Sequence, residues 1–124
     1  MSERSAIGSM GEECAVRYLQ KERKGKILGR NVRLKTGEID IVAKEGKTIV
    51  FVEVKAAKKD LEGFRPEDHF DRRKARKLRT VCREYLLKEN YPEDTDWRVD
   101  LVSVILGCSS KAEQVRYYAN VVEE

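Results

Sequence analysis

The 124-residue chain is poor in the residues that build several common kinds of functional site. Its three cysteines, Cys14, Cys82 and Cys108, are widely separated and form no CxxC pair. The single histidine, His69, has no cysteine or second histidine near it. These spacings predict reduced thiols in a cytoplasmic protein and argue against a zinc site. No glycine-rich phosphate loop and no Ser/His/Asp signature is present, so neither chemistry is predicted.

Long hydrophobic runs are also lacking. The longest, around residues 49–54 and 99–106, are far too short to cross a bilayer. Residues 1–10 are polar and lack the apolar core of a signal peptide, so neither secretion nor a membrane partner is expected. No internal repeat and no low-complexity segment is visible.

What the chain does contain is charge together with enough apolar residues to fold. Charged residues make up 39% and apolar residues 40%, which predicts a globular protein and not a disordered one. The length predicts one domain, residues 1–124, with no room for a second. The net charge of +4 is modest, so its distribution along the chain matters more than its size.

The order of predicted elements is αβββαβ with a terminal strand, which indicates an α/β fold with a mixed central sheet flanked by helices. Residues 1–8 are predicted to be a loose leader, and residues 56–67 a mobile loop. Ser9 and Glu12 have the spacing of a capping box, which would open a first helix that runs to about Arg23. The remaining elements are predicted at 26–34, 39–43, 48–54, 67–90, 97–106 and 114–122.

The second and third strands carry ionisable residues inside apolar runs. Residues 44–47 contain a glycine and predict a β-hairpin turn. If Ala43 pairs with Thr48, Glu38 lies opposite Glu53, and Asp40 is a diagonal neighbour of Glu53 at roughly 7–8 Å. Asp40, Glu53 and Lys55 then share one face of the sheet. The opposite face would be filled by Ile39, Ile41, Val50, Val52 and Val54.

Two neighbouring carboxylates beside apolar side chains repel each other unless a cation joins them. Mg²⁺ or Mn²⁺ bound by Asp40 and Glu53 would meet this need, because Mg²⁺ is commonly held by one or two carboxylates, waters and substrate phosphates. Lys55 could then orient a water molecule or stabilise charge on a phosphate. The alternative is a solvated strand end on which Glu53 and Lys55 simply pair with each other.

Two further residues have more than one interpretation. Glu12 either caps the first helix, contributes a third carboxylate on the metal side, or does both. Lys74 falls within the apolar stripe of the second helix, which is formed by Phe70, Leu78, Val81, Cys82 and Tyr85. Its side chain either extends to the rim of that stripe or reaches the carboxylates or a bound phosphate.

A basic ridge follows the opposite face of the second helix. Arg72, Arg76, Arg79 and Arg83 recur at helical spacing, with few acidic residues nearby. Such a row is either a solvated helix face or a surface that contacts nucleic-acid phosphates. The second interpretation makes nucleic acid, and DNA in particular, the expected partner. The oligomeric state is not determined by the sequence, and a homodimer stays open.

The motifs GEID at residues 37–40 and FVEVK at residues 51–55 resemble the PD-(D/E)xK nuclease superfamily, which shares the restriction-endonuclease-like fold. More closely, the chain is similar to the YraN-like family of bacterial proteins, which are related to archaeal Holliday-junction resolvases. The resemblance covers about residues 8–106. Its other matching residues are Gly11, Glu12, Ala15, Leu19, Asn31, Phe64, Pro66, Lys74 and Asp100.

The resemblance implies a restriction-endonuclease-like core in which Asp40, Glu53 and Lys55 are catalytic, with Glu12 as a further metal-side carboxylate. Relatives carry an arginine two residues after the motif lysine, whereas this chain has Ala57 there. Lys58 and Lys59 are candidates to replace it in phosphate binding. The implied activity is metal-dependent hydrolysis of phosphodiester bonds in DNA, including branched DNA. The rival is a non-catalytic nucleic-acid-binding protein that keeps the fold, and a protein-interaction scaffold is a third alternative.

Overall fold

The computed structural model describes residues 3–58, 65–107 and 112–122. In chain order these residues form two α-helices, five strands and one short 3-10 helix. Their bounds are α1 Glu3–Glu22, β1 Lys26–Leu34, β2 Gly37–Glu45, β3 Thr48–Lys58, the 3-10 helix Pro66–His69, α2 Arg72–Lys88, β4 Trp97–Leu106 and β5 Ala112–Tyr118. The predicted α/β class and the element order αβββαβ with a terminal strand are confirmed.

The strands form one mixed sheet in the order β1-β2-β3-β4-β5. β3 and β4 are parallel, and the other neighbouring pairs are antiparallel. Helix α1 covers one face of the sheet and α2 covers the other. β3 therefore lies in the middle with both faces covered, which explains why its sequence is almost continuously apolar from Ile49 to Val54. β1 is an edge strand of the sheet, and its arginines Arg30 and Arg33 are exposed.

The apolar side chains form two clusters, one on each side of the sheet. The α1 core contains Ala15, Val16, Leu19, Ile41, Ala43, Val50, Val52, Val102, Val104 and Leu106. The α2 core contains Ile39, Val42, Ile49, Phe51, Leu78, Val81, Cys82 and Val99. Phe51 is fully buried and meets both Tyr85 and Trp97 edge-to-face, at ring-centroid distances of 5.5 and 5.7 Å.

The start of the chain differs from the sequence-based prediction. Helix α1 begins at Glu3, so residues 3–8 are helical where a loose leader was predicted. Ser9 consequently lies inside the helix and cannot be its N-cap. The Ser9–Glu12 pattern was misleading because the same spacing also occurs within a helix, where residues three apart share a face.

The segment before α2 also differs. Strand β3 continues to Lys58, so residues 56–58 of the predicted loop are strand, while residues 59–64, including Lys59, lie outside the described residues. Helix α2 begins only at Arg72, after the 3-10 helix, because the carboxylate of Asp71 caps it by accepting the Lys74 N–H at 3.0 Å. It ends where Asn90 adopts a φ of 58°.

The N-terminal helix approaches the sheet closely at Gly11. A Cβ placed there would lie 2.5 Å from the Ala56 Cβ of β3, whereas a Cβ at Gly8 would meet nothing within 4 Å. Neither Ala56 nor the backbone near it can rotate away, so a larger residue at position 11 must push α1 off the sheet.

We therefore expect Gly11→Ala to destabilise the protein by about 1–3 kcal/mol through overpacking. The matched control is Gly8→Ala in the same helix, which should be neutral or stabilise by up to about 1 kcal/mol because alanine is the better helix former. Urea unfolding of both variants measures the difference. Equal free energies of unfolding for the two variants would contradict the close approach of α1 to β3.

Candidate metal and nucleic-acid site

The hairpin of β2 and β3 forms a fork at the position of the two acidic residues. Its turn is the two-residue segment Gly46–Lys47, with Gly46 at a φ of 61°, and its ladder runs from the Glu45–Thr48 pair to the Ile41–Val52 pair. Beyond that pair, residues 37–39 of β2 pair with β1, whereas residues 53–58 of β3 pair with β4. Asp40 and Glu53 are the first residues after the ladder separates, so they lie at the opening of the fork.

The predicted register was wrong by two residues. Ala43 pairs with Val50 and not with Thr48, because the turn is two residues long and not four. A shift of two residues preserves which side chains share a face. Asp40 and Glu53 therefore still come together, but as residues that follow a common ladder pair instead of diagonal neighbours.

The regular alternation of β2 is interrupted at Asp40. Ile39 and Ile41 are two residues apart and both buried, yet Ile39 belongs to the α2 core and Ile41 to the α1 core. The prediction that Ile39 shares a face with Ile41 was therefore wrong. At this interruption the carboxylate of Asp40 turns to β3 and accepts the backbone N–H of Val54 at 2.8 Å, a bond that takes the place of a ladder hydrogen bond.

Glu53 is the most strongly perturbed carboxyl group of this site. Burial, the hydrogen bond to Asp40 and the negative charge of Asp40 together raise its pKa to about 9, against the opposing charges of Lys55 and Lys74. Glu53 therefore keeps its proton at neutral pH unless a cation takes the place of that proton. This arrangement differs from the predicted alternative, a solvated strand end, because Glu53 is largely buried.

Glu12 approaches the same fork from helix α1. Burial and the negative charge of Asp40 raise its pKa, while Arg30 and a hydrogen bond with Asn31 lower it. Its Oε1 atom is buried and has no hydrogen-bond partner among the described residues. An acceptor oxygen left in this state near the carboxylate of Asp40 is suited to receive a cation.

The three acidic residues nevertheless do not form a compact ligand set. The structure, within the residues it describes, contains no group of three or more His, Cys, Asp or Glu side chains arranged to hold a metal ion. The donor set in direct contact is the pair Asp40 and Glu53, which matches the hard oxygen ligands and the low protein ligand number typical of Mg²⁺. Glu12 lies near Asp40 but outside that pair.

Two lysines surround the acidic pair. Lys55 lies two residues beyond Glu53 on β3, beside Ser103 of β4. Lys74 is exposed on the first turn of α2, and its charge reaches Glu53 across the fork. This favours the interpretation in which the Lys74 side chain lies near the carboxylates over the one in which it only extends to the rim of the apolar stripe of α2. Lys58 ends β3 and is half-buried.

The predicted basic ridge divides into two parts. Arg72, Arg76 and Arg79 line a groove of about 890 Å³ between α2 and the outer strands, whereas Arg83 does not. Arg65, which precedes the 3-10 helix, lines the same groove from the other side.

One residue that joins the elements of this groove wall was not predicted from the sequence. Glu67 was predicted to start the second helix, but in the structure its carboxylate is a hub on the sheet. It accepts hydrogen bonds from Ser103 at 2.9 Å, from Arg116 at 2.9 Å and from Tyr118 at 2.6 Å. These contacts lower its pKa to about 2 against the effect of burial. Its partners lie 36 to 51 residues away in sequence, so no local pattern could have revealed them.

The late aspartate of the resemblance, Asp100, is held by structural contacts on β4. It is fully buried and binds the Arg98 guanidinium, with Nε at 3.0 Å from Oδ1. It also accepts hydrogen bonds from the Tyr117 hydroxyl and from the Asn120 N–H. Arg98 in turn pairs with Glu45 at 2.9 Å.

Comparison with known proteins identifies the family. The model of the uncharacterised protein family UPF0102 matches residues 11–104, which include the fork, all of α2 and most of α1 and β4. The chain belongs to this family. A UPF0102 protein of Caldicellulosiruptor saccharolyticus is 38% identical over 92% of this chain and 94% of its own length. A second, from Kosmotoga olearia, is 43% identical over 79% and 81%, and a third, from Pelotomaculum thermopropionicum, is 36% identical over 94% and 95%.

Family membership agrees with the YraN-like resemblance in the sequence. No helix among the described residues is long and apolar enough to span a membrane.

Proposed function

We propose that this UPF0102 protein is a metal-dependent nuclease that hydrolyses phosphodiester bonds in DNA, with branched or structured DNA among its substrates. The observation that carries the proposal is the contact between Asp40 and Glu53 at the fork, where Glu53 has a pKa of about 9. Perturbed carboxyl pairs in an open cleft are typical of sites that bind a cation or transfer protons.

The residues of the fork fit a divalent ion. Asp40 and Glu53 would hold Mg²⁺ or Mn²⁺, and Glu12, whose Oε1 has no hydrogen-bond partner among the described residues, lies near Asp40. Glu53 releases its proton when it becomes a ligand, so binding should strengthen with rising pH. Such an ion supplies charge stabilisation at a phosphoryl oxygen and lowers the pKa of bound water.

The lysines give the chain its own contribution to the chemistry. The Lys55 ammonium, whose charge acts on Glu53, would orient the attacking water or stabilise the negative charge that develops on the phosphate. Lys74 would neutralise a phosphate at the start of α2. Lys58 and Lys59 remain candidates for the phosphate contact that Ala57 does not supply.

The test is a cleavage assay on duplex, single-stranded, flap and four-way-junction DNA with Mg²⁺ and with Mn²⁺. We expect Lys55→Ala to abolish cleavage while DNA affinity is largely retained, because the lysine acts on the reacting phosphate and not on the rest of the strand. The matched control is Lys47→Ala, which removes the same charge from the exposed turn at the far end of the hairpin. Cleavage that survives Lys55→Ala would contradict the assigned role.

One observation favours the second candidate, a non-catalytic nucleic-acid-binding protein that retains the fold. Only two carboxylates are in direct contact, and the described residues contain no group of three metal-binding side chains. Calorimetric titration with Mn²⁺ distinguishes the candidates. A site that is lost in Asp40→Asn supports the nuclease, whereas the absence of Mn²⁺ binding together with DNA binding supports the second candidate.

A further inference from the structure

The groove beside α2 exists because the helix covers only part of its sheet face. Helix α2 packs over β1 and β2, and the outer strands are covered instead by the 3-10 helix and by residues 120–122. Residues 120–122 are fixed against β4 because the Val121 N–H donates a hydrogen bond to the Val99 carbonyl oxygen at 2.8 Å. A groove of about 890 Å³ remains between the helix and this outer wall.

The charged side chains that line the groove are arginines, with one exception. Arg72, Arg76 and Arg79 line the helix side and Arg65 lines the outer side. Glu67 is the only acidic residue among the described lining residues, and its side chain is just 8% exposed because Ser103, Arg116 and Tyr118 occupy its oxygens. The surface offered to a ligand is therefore cationic, and the complementary ligand is an anion with several charges.

The floor of the groove is not polar. Phe70, Leu101, Val121 and Val122 contribute apolar surface between the two cationic walls, and Tyr118 contributes an aromatic ring. Inorganic phosphate would leave this surface unused, whereas nucleobases would cover it. Charged walls that follow a backbone, combined with an aromatic or apolar floor, are the features by which proteins bind single-stranded nucleic acid.

The groove opens beside the fork. Leu101 at its floor is the ladder partner of Glu53, and adjacent strands lie about 4.8 Å apart. Partners in a parallel ladder direct their side chains to the same face, so the groove and Glu53 share the α2 side of the sheet. A strand that lies in the groove can thus continue directly to the acidic pair.

From these contacts we infer that the groove binds a single-stranded DNA segment that adjoins the scissile bond. The inference rests on the proposed function, because it makes flaps and other branched DNA with an unpaired arm the preferred substrate class. The groove has the volume of a small-ligand pocket, so it receives an unpaired strand and excludes a duplex.

The test measures binding in EDTA, where cleavage cannot occur, by fluorescence anisotropy with a single-stranded oligonucleotide and a blunt duplex. Arg72→Ala combined with Arg76→Ala removes two charges from the groove. The matched control, Arg73→Ala with Arg83→Ala, removes two charges from the same helix outside the groove lining. We expect the groove variant to lose about tenfold in single-strand affinity and its salt dependence to become shallower by about 1.4, which is 0.7 for each lost phosphate contact.

Each outcome decides the inference. Single-strand affinity that falls in the groove variant and much less in the control supports it. Equal losses in both variants would mean that the helix charge acts without the groove, and a preference for the duplex would overturn the inference. If a single-stranded RNA binds more tightly than the single-stranded DNA of the same sequence, the ligand of the groove is RNA and not DNA.

The same experiment separates this inference from the proposed nuclease activity. Single-strand binding that the groove variant weakens, without any Mn²⁺-dependent cleavage, would overturn the proposed nuclease activity and leave the groove inference standing. Cleavage of flap DNA that is as fast in the groove variant as in the parent would overturn the groove inference and leave the nuclease activity standing.

Discussion

Replacing Glu53 by glutamine should stabilise the metal-free protein, and most strongly at alkaline pH. Glutamine has nearly the same shape and can still donate a hydrogen bond to Asp40, but it never acquires a charge. In the parent protein the pKa of Glu53 is about 9 when folded and close to 4.5 when unfolded. The folded state therefore retains a proton that the unfolded state has released between about pH 4.5 and pH 9.

The sign of the pH dependence follows from that difference. Because the folded state binds more protons in this window, the free energy of unfolding falls as the pH rises from about 4.5 to about 9. One pKa unit corresponds to about 1.4 kcal/mol, so Glu53→Gln should recover on the order of a few kcal/mol near pH 9. Urea unfolding at a series of pH values would show a flatter profile for the variant.

The control is Glu38→Gln on the neighbouring strand β2. Glu38 is exposed and pairs with Arg33 at 2.9 Å on the surface, so its replacement should change the free energy of unfolding by less than about 1 kcal/mol. A fall in stability for Glu53→Gln near pH 9 would contradict the assignment, since it would mean that an ionised Glu53 is bonded structurally. Added Mn²⁺ should raise the melting temperature of the parent and leave that of Glu53→Gln unchanged.

Truncation of Asp100 should destabilise the protein by about 3–5 kcal/mol, because it leaves the partly buried Arg98 without one of its two carboxylate partners. It also leaves the Tyr117 hydroxyl and the Asn120 N–H without their acceptor. These groups join β4 to β5 and to the end of the chain. Unfolding of Asp100→Ala in urea measures the loss.

Two milder variants provide a comparison for the loss of stability in Asp100→Ala. Tyr117→Phe removes one hydrogen bond and should cost about 1 kcal/mol, and the cation–π contact of Arg23, 4.2 Å from the Tyr117 ring, is retained. Asp100→Asn keeps acceptors but removes the charge, so it should fall between the two. A loss for Asp100→Ala no larger than that for Tyr117→Phe would show that Arg98 is satisfied by Glu45 alone.

The sequence by itself determined the elements and the identity of the acidic pair. The continuous apolar run of β3 requires a central strand covered on both faces, and the spacing of the apolar residues in α2 specifies its buried stripe. A register shift of two residues preserves which side chains share a face, so Asp40 and Glu53 still come together although the predicted register was wrong by two residues. Local periodicity is sufficient for such features.

Tertiary structure decided what depends on distant partners. The turn length set the register and brought Asp40 to the end of the ladder, where its side chain could bond to Val54. Burial between strands and helix, and not the identity of the residue, raised the pKa of Glu53. Glu67 accepts several hydrogen bonds because the fold brings Tyr118 and Arg116 to its carboxylate. The arginines of α2 line a groove because residues 120–122 form its opposite wall. Local sequence patterns do not predict contacts between segments that lie this far apart in the sequence.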